Sequence, residues 1–123
     1  MTVRSTACLV LMLGCLLVPV ARAQPPLNVE KEVNYLLGDI ARSGCEFYRN
    51  GSWHDAQTAQ AHLRDKYQYL IARNLINTTE DFIERAATKS SFSGLPYEVR
   101  CHGGPAVKSN QWLRDELTRF RSF

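Results

Sequence analysis

The residues of this sequence best suited to chemistry begin with a histidine and a lysine on one predicted helix. His62 and Lys66 lie four positions apart, a spacing that places both side chains on the same helix face. Chemically, His62 could act as a general base whose pKa Lys66 adjusts. The same spacing is typical of a polar helix flank beside a core stripe. We favour the polar flank and keep both residues as candidate binding residues.

A serine-rich loop, SSFSG at residues 90–94, could present a nucleophile or bind a ligand through Ser91 and Ser93. Ser93 lacks the glycine two positions earlier that a nucleophile elbow uses, and no Asp and His follow in the order of a hydrolase triad. Hydroxyls and a glycine between a helix and a strand are usually turn and capping residues. We therefore predict no catalytic residue in this loop.

Arg49 is the best exposed candidate for binding an anion or a partner's carboxylate, because a guanidinium donates strong charge-assisted hydrogen bonds. It precedes Asn50-Gly51, a dipeptide typical of hairpin turns, where a solvated charge is the simpler interpretation.

The adjacent residues Cys101 and His102 could suggest a metal site, but they lack the paired ligand spacing of a zinc site. We predict no metal site and no cofactor.

Residues 1–23 have the pattern of a secretory signal peptide. Arg4 precedes an apolar run, and small residues at Ala21 and Ala23 suit a signal-peptidase site. The apolar run is about 14 residues long, whereas a membrane-spanning helix needs about 20. We expect cleavage after Ala23 and export to the periplasm. A lipoprotein anchored through Cys15 is the alternative, although the apolar sequence after Cys15 does not suit a polar tether.

The predicted mature chain, residues 24–123, is too evenly charged to indicate a nucleic-acid partner. Removing Arg4 and Arg22 from the 15 basic residues leaves 13 against 12 acidic ones, a net charge of +1. A nucleic-acid binder would carry a strong basic patch. No second apolar run is long enough to cross a membrane. The length fits one domain, and the partner we expect is another periplasmic protein.

Hydrophobic spacing and turn residues predict an α+β domain of about four helices packed with a small antiparallel sheet. Apolar residues recur at helical intervals near residues 29–43 and 56–74, after the Thr78-Thr79 pair and after Ser109. Residues 45–49 and 52–54 predict a hairpin, and alternation from residue 96 to 101 predicts a further strand. The predicted helix caps are Asn28, Asp55, Thr78 and Ser109.

We predict a disulfide between Cys45 and Cys101. Both cysteines remain after signal removal, and the periplasm is oxidising. If Phe47 lies opposite Val99 in antiparallel strands, then Cys45 lies opposite Cys101, so the bridge and the antiparallel pairing are one hypothesis. The alternative is two buried free thiols, because free cysteine often behaves as a small apolar residue.

Four segments, in the same order along the chain, resemble the YfeK-like proteins, a family of small bacterial periplasmic proteins whose function is not established. The resemblance implies a bacterial source, a periplasmic address and one domain, but supplies no reaction and no site residues. The segments are FYRNG at 47–51, HLRDK at 62–66, TEDFI at 79–83 and SSFSGLPY at 90–97.

Together these features predict a small exported protein that is an interaction module rather than an enzyme. The alternative is a small hydrolase or ligand-binding protein that uses His62, Lys66 and the loop from Ser90 to Ser93. A pocket on which those side chains converge would favour the alternative, and a flat apolar patch would favour the interaction module.

Overall fold

The computed structural model describes residues 24–123 together with Thr2, Gly14 and Cys15. The rest of the predicted signal peptide, including its cleavage site, lies outside the described residues. The fold is α+β, as predicted, with four helices and a four-stranded sheet in the described residues. The elements are α1 Leu27–Arg42, β1 Glu46–Arg49, β2 Ser52–His54, α2 Ala56–Ile71, α3 Thr79–Ala86, β3 Glu98–Arg100, β4 Val107–Lys108 and α4 Ser109–Arg121.

The sheet has the strand order β2-β1-β3-β4, and every neighbouring pair is antiparallel. The β1–β2 hairpin turns at Asn50 and Gly51, whose φ angles are 48° and 87°, which is the left-handed backbone that an Asn-Gly pair favours. Phe47 lies opposite Val99. This register confirms the predicted pairing.

A disulfide joins Cys45 to Cys101, one residue beyond the paired ends of β1 and β3. The two Cα atoms are 4.3 Å apart, because the antiparallel register that pairs Phe47 with Val99 also brings the cysteines opposite each other. The predicted bridge is therefore present. It closes a loop across more than half of the predicted mature chain, and it holds together the two strands from which the candidate site extends.

The core lies between the sheet and the helices. Helix α1 packs against each of the other three helices, and its apolar stripe is buried as its spacing predicted. Helix α3 contributes Phe82, Ile83 and Ala86, all fully buried. The sheet contributes Phe47 and Val99 to the same apolar cluster. No helix in the described part of the chain is both long and apolar enough to span a membrane.

Two predicted helix caps are confirmed and two are wrong. Asp55 accepts a hydrogen bond from the Thr58 N–H, and Thr78 forms a reciprocal capping box with Asp81. Asn28, however, lies inside α1, because the helix begins at Leu27, after Pro26. Proline is well suited to a helix start because its φ is already fixed.

Ser109 was predicted to cap α4 but is instead its first residue. It is buried, and its N–H donates to the Tyr97 carbonyl oxygen. Strand β4, immediately before it, was not predicted. With only two exposed residues, Val107 and Lys108, the strand is too short for alternation to be visible in the sequence.

A partly buried ion cluster ties three helices together. We call it the Glu32 cluster: Glu32 on α1, Thr79 and Glu80 on α3, and Arg121 on α4. Arg121 donates to both carboxylate oxygens of Glu32, at 2.6 and 3.0 Å, and to Glu80 at 2.7 Å. The Thr79 hydroxyl donates to Glu32 at 2.6 Å. Each donor in these contacts meets a carboxylate, and the two carboxylates outnumber the single arginine.

Candidate functional site

Four polar side chains from three segments meet beside the sheet. We call them the Arg49 cluster: Arg49 at the end of β1, His62 and Lys66 on α2, and Tyr97 just before β3. Arg49 lies 2.8 Å from His62 Nδ1, and His62 Nε2 lies 3.2 Å from the Tyr97 hydroxyl. Lys66 Nζ lies 3.3 Å from the same hydroxyl. The structure thus joins three candidates named from the sequence and adds Tyr97.

Local features of the sequence position each side chain of the Arg49 cluster. Asp55 begins α2 and directs it back across the hairpin. The four-residue spacing of His62 and Lys66 then turns both side chains toward Tyr97. Antiparallel pairing of β1 with β3 brings the Arg49 end of one strand to the Tyr97 end of the other.

The hydrogen-bond chemistry fixes the proton positions in the Arg49 cluster. Arginine and lysine can only donate. Because Arg49 donates to Nδ1, the neutral His62 ring must carry its hydrogen on Nε2 and donate it to the Tyr97 oxygen. Lys66 also donates to that oxygen. Both lone pairs of the Tyr97 hydroxyl are then occupied, so its own O–H hydrogen is available to donate outward.

Burial and repulsion disfavour further positive charge in this cluster. The pKa of His62 is lowered to about 4, first by burial and then by the charges of Arg49 and Lys66. Burial, followed by the charge of Arg49, also lowers the pKa of Lys66. Burial raises the pKa of the Tyr97 hydroxyl. His62 is therefore a neutral hydrogen-bonding link between Arg49 and Tyr97 at neutral pH.

No carboxylate within the described residues forms an ion pair with Arg49 or Lys66. Lys66 instead donates to the Lys89 carbonyl oxygen at 3.3 Å. The guanidinium contacts the His62 ring. Two positive charges are thus half-buried together without a carboxylate in ion-pair contact, and Asp65 acts on His62 only from a distance.

Beside the cluster lies a small recess with an accessible cavity of about 30 Å³. Arg49, His62 and Tyr97 line it together with core side chains and a few other polar residues, whereas Lys66 does not. A cavity needs about 10 to 15 Å³ by this measure to hold one water. The recess therefore has room for roughly two waters, or for a group of a few heavy atoms.

The serine-rich loop is held by its own hydrogen bonds. The Ser90 hydroxyl accepts from the Phe92 and Ser93 N–H groups, and the Ser90 N–H donates to the Leu95 carbonyl oxygen. Ser93 donates from its hydroxyl to the Asn50 side chain at 2.6 Å. Ser90 is buried by this arrangement. The three serines therefore lie in different surroundings, and Ser91 is exposed.

Ser93 and His62 are not brought into contact. Among the described residues no hydrogen bond joins them, since Ser93 is bonded to Asn50 whereas His62 is bonded to Arg49 and Tyr97. A nucleophile needs its base within hydrogen-bond reach. The loop and the Arg49 cluster are neighbours through the consecutive residues Arg49 and Asn50, but they do not form a Ser–His pair.

The same loop exposes an aromatic side chain. Phe92 is 95% exposed and Leu95 is 45% exposed. From the sequence, Phe92 was expected only as part of the serine-rich loop, and Tyr97 only as part of the strand predicted from residue 96 to 101. The exposure of Phe92 could have been predicted, because it is a lone phenylalanine between serines and outside any helical or strand periodicity. No comparable sequence pattern predicts the hydrogen-bonding role of the Tyr97 hydroxyl.

No group of three or more His, Cys, Asp or Glu side chains in the described part of the chain is arranged to hold a metal ion. The acidic residues of the Glu32 cluster are occupied by Arg121. The Arg49 cluster, in turn, presents donors and no acid. Its chemistry suits an anion rather than a cation or a metal.

The fold and site define a small disulfide-bridged α+β domain with a donor-rich cluster and an exposed aromatic loop. The chain belongs to a family of unknown function, DUF5329, whose model matches residues 27–121. It is similar to the protein YfeK of Salmonella typhimurium, with 39% identity over 69 residues. This match confirms the resemblance to YfeK-like proteins.

The match to YfeK covers 55% of this chain and 56% of the relative. The chain therefore spans little more than half the length of the curated relative it matches. No solved structure matches the chain. The comparisons give the family and no activity.

Proposed function

We propose that this protein is an exported periplasmic interaction module that binds another protein through the loop of residues 90–95. Phe92 is the anchor of this interaction and inserts into an apolar pocket on the partner. The observation that carries the proposal is the exposure of the Phe92 ring, 95%, on a loop held by several hydrogen bonds.

The ordered conformation of the loop of residues 90–95 supports a role in docking. Exposing an aromatic ring to water is unfavourable, at roughly 25 cal/mol per Å² of apolar surface. Aromatic anchors are enriched among the residues that dominate binding energy at interfaces. Because the loop is already ordered, less conformational entropy is lost when the ring is buried. Leu95, also exposed in the same loop, extends the apolar contact.

The periplasmic address is supported by the signal pattern of residues 1–23 together with the bridge between Cys45 and Cys101. Disulfides persist in oxidising compartments and are rare in the cytosol. An exported domain without an identified reaction fits a binding role in the cell envelope.

Replacement of Phe92 by a photo-crosslinking phenylalanine analogue tests the interaction in cells. We expect one envelope protein to be cross-linked, and its purified form to bind the wild-type domain. Phe92→Ser should weaken this binding at least about tenfold, a typical effect of losing a central anchor. Size-exclusion chromatography separates a different partner from self-association.

Phe123→Ser is the matched control, because Phe123 is 98% exposed but lies at the chain end rather than in the loop. This variant should bind as wild type. Equal binding by Phe92→Ser and wild type, or equal losses in both variants, would contradict the docking role. A purely self-associated cross-link would contradict the proposal of a different partner.

Export is tested separately by intact-mass analysis of protein from a periplasmic extract. We expect a chain that begins at Gln24, because Ala21 and Ala23 satisfy the small-residue rule for cleavage. A lipid attached to Cys15 would replace a free periplasmic module with one tethered to the membrane.

A further inference from the structure

The Arg49 cluster has more hydrogen-bond donors than its neighbours use. An arginine carries five N–H donors and a lysine three, with no acceptor on either side chain. Arg49 contacts only the His62 ring among the hydrogen bonds of the described residues. Lys66 uses two donors, on Tyr97 and on the Lys89 carbonyl.

The Tyr97 hydroxyl adds one more outward donor. Its oxygen accepts from His62 and from Lys66, so its hydrogen has no acceptor within this chain of contacts. His62 cannot supply one, because one ring nitrogen accepts from Arg49 and the other donates to Tyr97. The cluster thus combines two positive charges with free donors.

We propose that the Arg49 cluster binds a small oxyanion, a carboxylate or a phosphate, through Arg49, Lys66 and the Tyr97 hydroxyl. Such an anion supplies the missing negative charge and accepts from the unused donors. His62 is a positioning residue: its neutral ring links Arg49 to Tyr97 and sets the direction of the tyrosine O–H.

The size of the recess limits the ligand group that can enter it. Arg49 and Tyr97 line the cavity of about 30 Å³, but Lys66 does not. An oxyanion bound to all three donors therefore lies at least partly outside this cavity, which by itself has room for about two waters. The anion site does not depend on partner docking through Phe92, so either can fail while the other holds.

Thermal unfolding of the purified protein at neutral pH tests the site. Titrations with sodium phosphate and with sodium acetate are compared with sodium chloride at matched ionic strength. We expect a saturable rise in the unfolding midpoint with at least one of the two oxyanions, since a ligand that binds only the folded state stabilises it. Phosphate alone indicates a phosphate-bearing ligand, and acetate alone indicates a carboxylate.

Four variants separate anion binding from general salt effects. Lys66→Gln and Tyr97→Phe should each weaken the apparent affinity at least about tenfold, which corresponds to about 1.4 kcal/mol. Arg100→Gln is the control, because Arg100 is an exposed arginine already paired with Glu46. It should bind the anion as wild type does. Phe92→Ser should also retain anion binding.

The proposal is overturned if neither oxyanion raises the midpoint above the chloride reference. It is equally overturned if Lys66→Gln and Tyr97→Phe keep the full rise, because an unspecific stabilisation by excluded salts would affect every variant alike. Lys66 is half-exposed on a helix, so Lys66→Gln keeps the test valid if Tyr97→Phe fails to fold.

Discussion

The Glu32 cluster and the Arg49 cluster are both polar networks that join separate elements of the fold, but they carry opposite excess charge. In the Glu32 cluster, Arg121 donates to two carboxylates, and Glu32, only 9% exposed, also accepts from the Thr79 hydroxyl. In the Arg49 cluster, two cations share a neutral histidine and a tyrosine without an acid. One network is complete, and the other lacks an acceptor.

The difference teaches which network serves stability and which suits binding. A buried polar network stabilises a fold when every member is satisfied. Arg121 keeps the pKa of Glu32 below its ordinary range through a side-chain hydrogen bond. Conversely, burial and then repulsion from Arg49 and Lys66 lower the pKa of His62. Perturbed groups without compensation are typical of functional sites.

The largest expected effect comes from removing the bridge that holds the sheet under the Arg49 cluster. The double variant Cys45→Ser, Cys101→Ser should lower the free energy of unfolding by about 4 kcal/mol, because the bridge closes a long loop in the unfolded chain. Urea unfolding measures the change. A reducing agent should destabilise the wild type and leave the double variant unchanged. Equal free energies of unfolding for the two oxidised proteins would contradict a stabilising role for the bridge.

The next largest effect on stability comes from breaking the Glu32 cluster. Glu32→Gln should lower the free energy of unfolding by about 2 kcal/mol, because its amide N–H₂ would face an Arg121 donor in place of a carboxylate oxygen. Glu46→Gln is the matched control: Glu46 is an exposed carboxylate paired with Arg100, and its loss should cost less than about 0.5 kcal/mol. Similar decreases in the free energy of unfolding for the two variants would show that the Glu32 cluster stabilises the fold no more than an exposed ion pair does.

A smaller effect separates the two networks by pH. The folded protein keeps His62 neutral down to a pKa of about 4, whereas the ordinary value is 6.5. As pH falls from 6.5 to 4, the unfolded chain therefore binds the proton first, and stability decreases. His62→Gln should reduce this decrease by about 1 kcal/mol, allowing for partial solvent exposure. Urea midpoints measured across this pH range provide the comparison.

Two carboxylates provide the background for that measurement. Glu32 has a lowered pKa, so the stability it contributes is present above 4.5 and is lost as pH falls further. The pKa of Glu116 is raised to about 7 by burial and by a hydrogen bond with Asp39, so its stabilising contribution is lost as pH rises from 4.5 through 7. Both carboxylates are present in wild type and variant, and the difference isolates His62. Parallel pH profiles would contradict a neutral buried His62.

The smallest expected effect on stability, that of Lys66→Gln, is the most direct test of the contrast between the two clusters. Without a ligand, Lys66→Gln should change the free energy of unfolding by less than about 0.5 kcal/mol, because relief of repulsion and burial offsets two long hydrogen bonds. Thermal and urea unfolding in chloride measure it. A loss of about 2 kcal/mol, similar to that of Glu32→Gln, would make Lys66 a structural residue and erase the contrast between the clusters.

The sequence by itself determined the elements that obey local rules. The Asn50-Gly51 turn, the Asp55 and Thr78 caps and the apolar stripe of α1 follow from backbone preference and helical spacing. The disulfide also followed, because period-two alternation and one antiparallel register place Cys45 opposite Cys101. The errors lie at helix boundaries, including the end of α2, which is Ile71 rather than residue 74, and at β4, where only one or two residues carry the signal.

Only the tertiary structure decided which polar residues meet. The four-residue spacing placed His62 and Lys66 on one face, but the approach of Arg49 and the Tyr97 hydroxyl depends on how α2 crosses the sheet. Likewise, Arg121 reaches Glu32 across 89 positions of sequence. Charge balance is a property of neighbours in space, and hydrophobic periodicity carries no information about which distant side chains become neighbours.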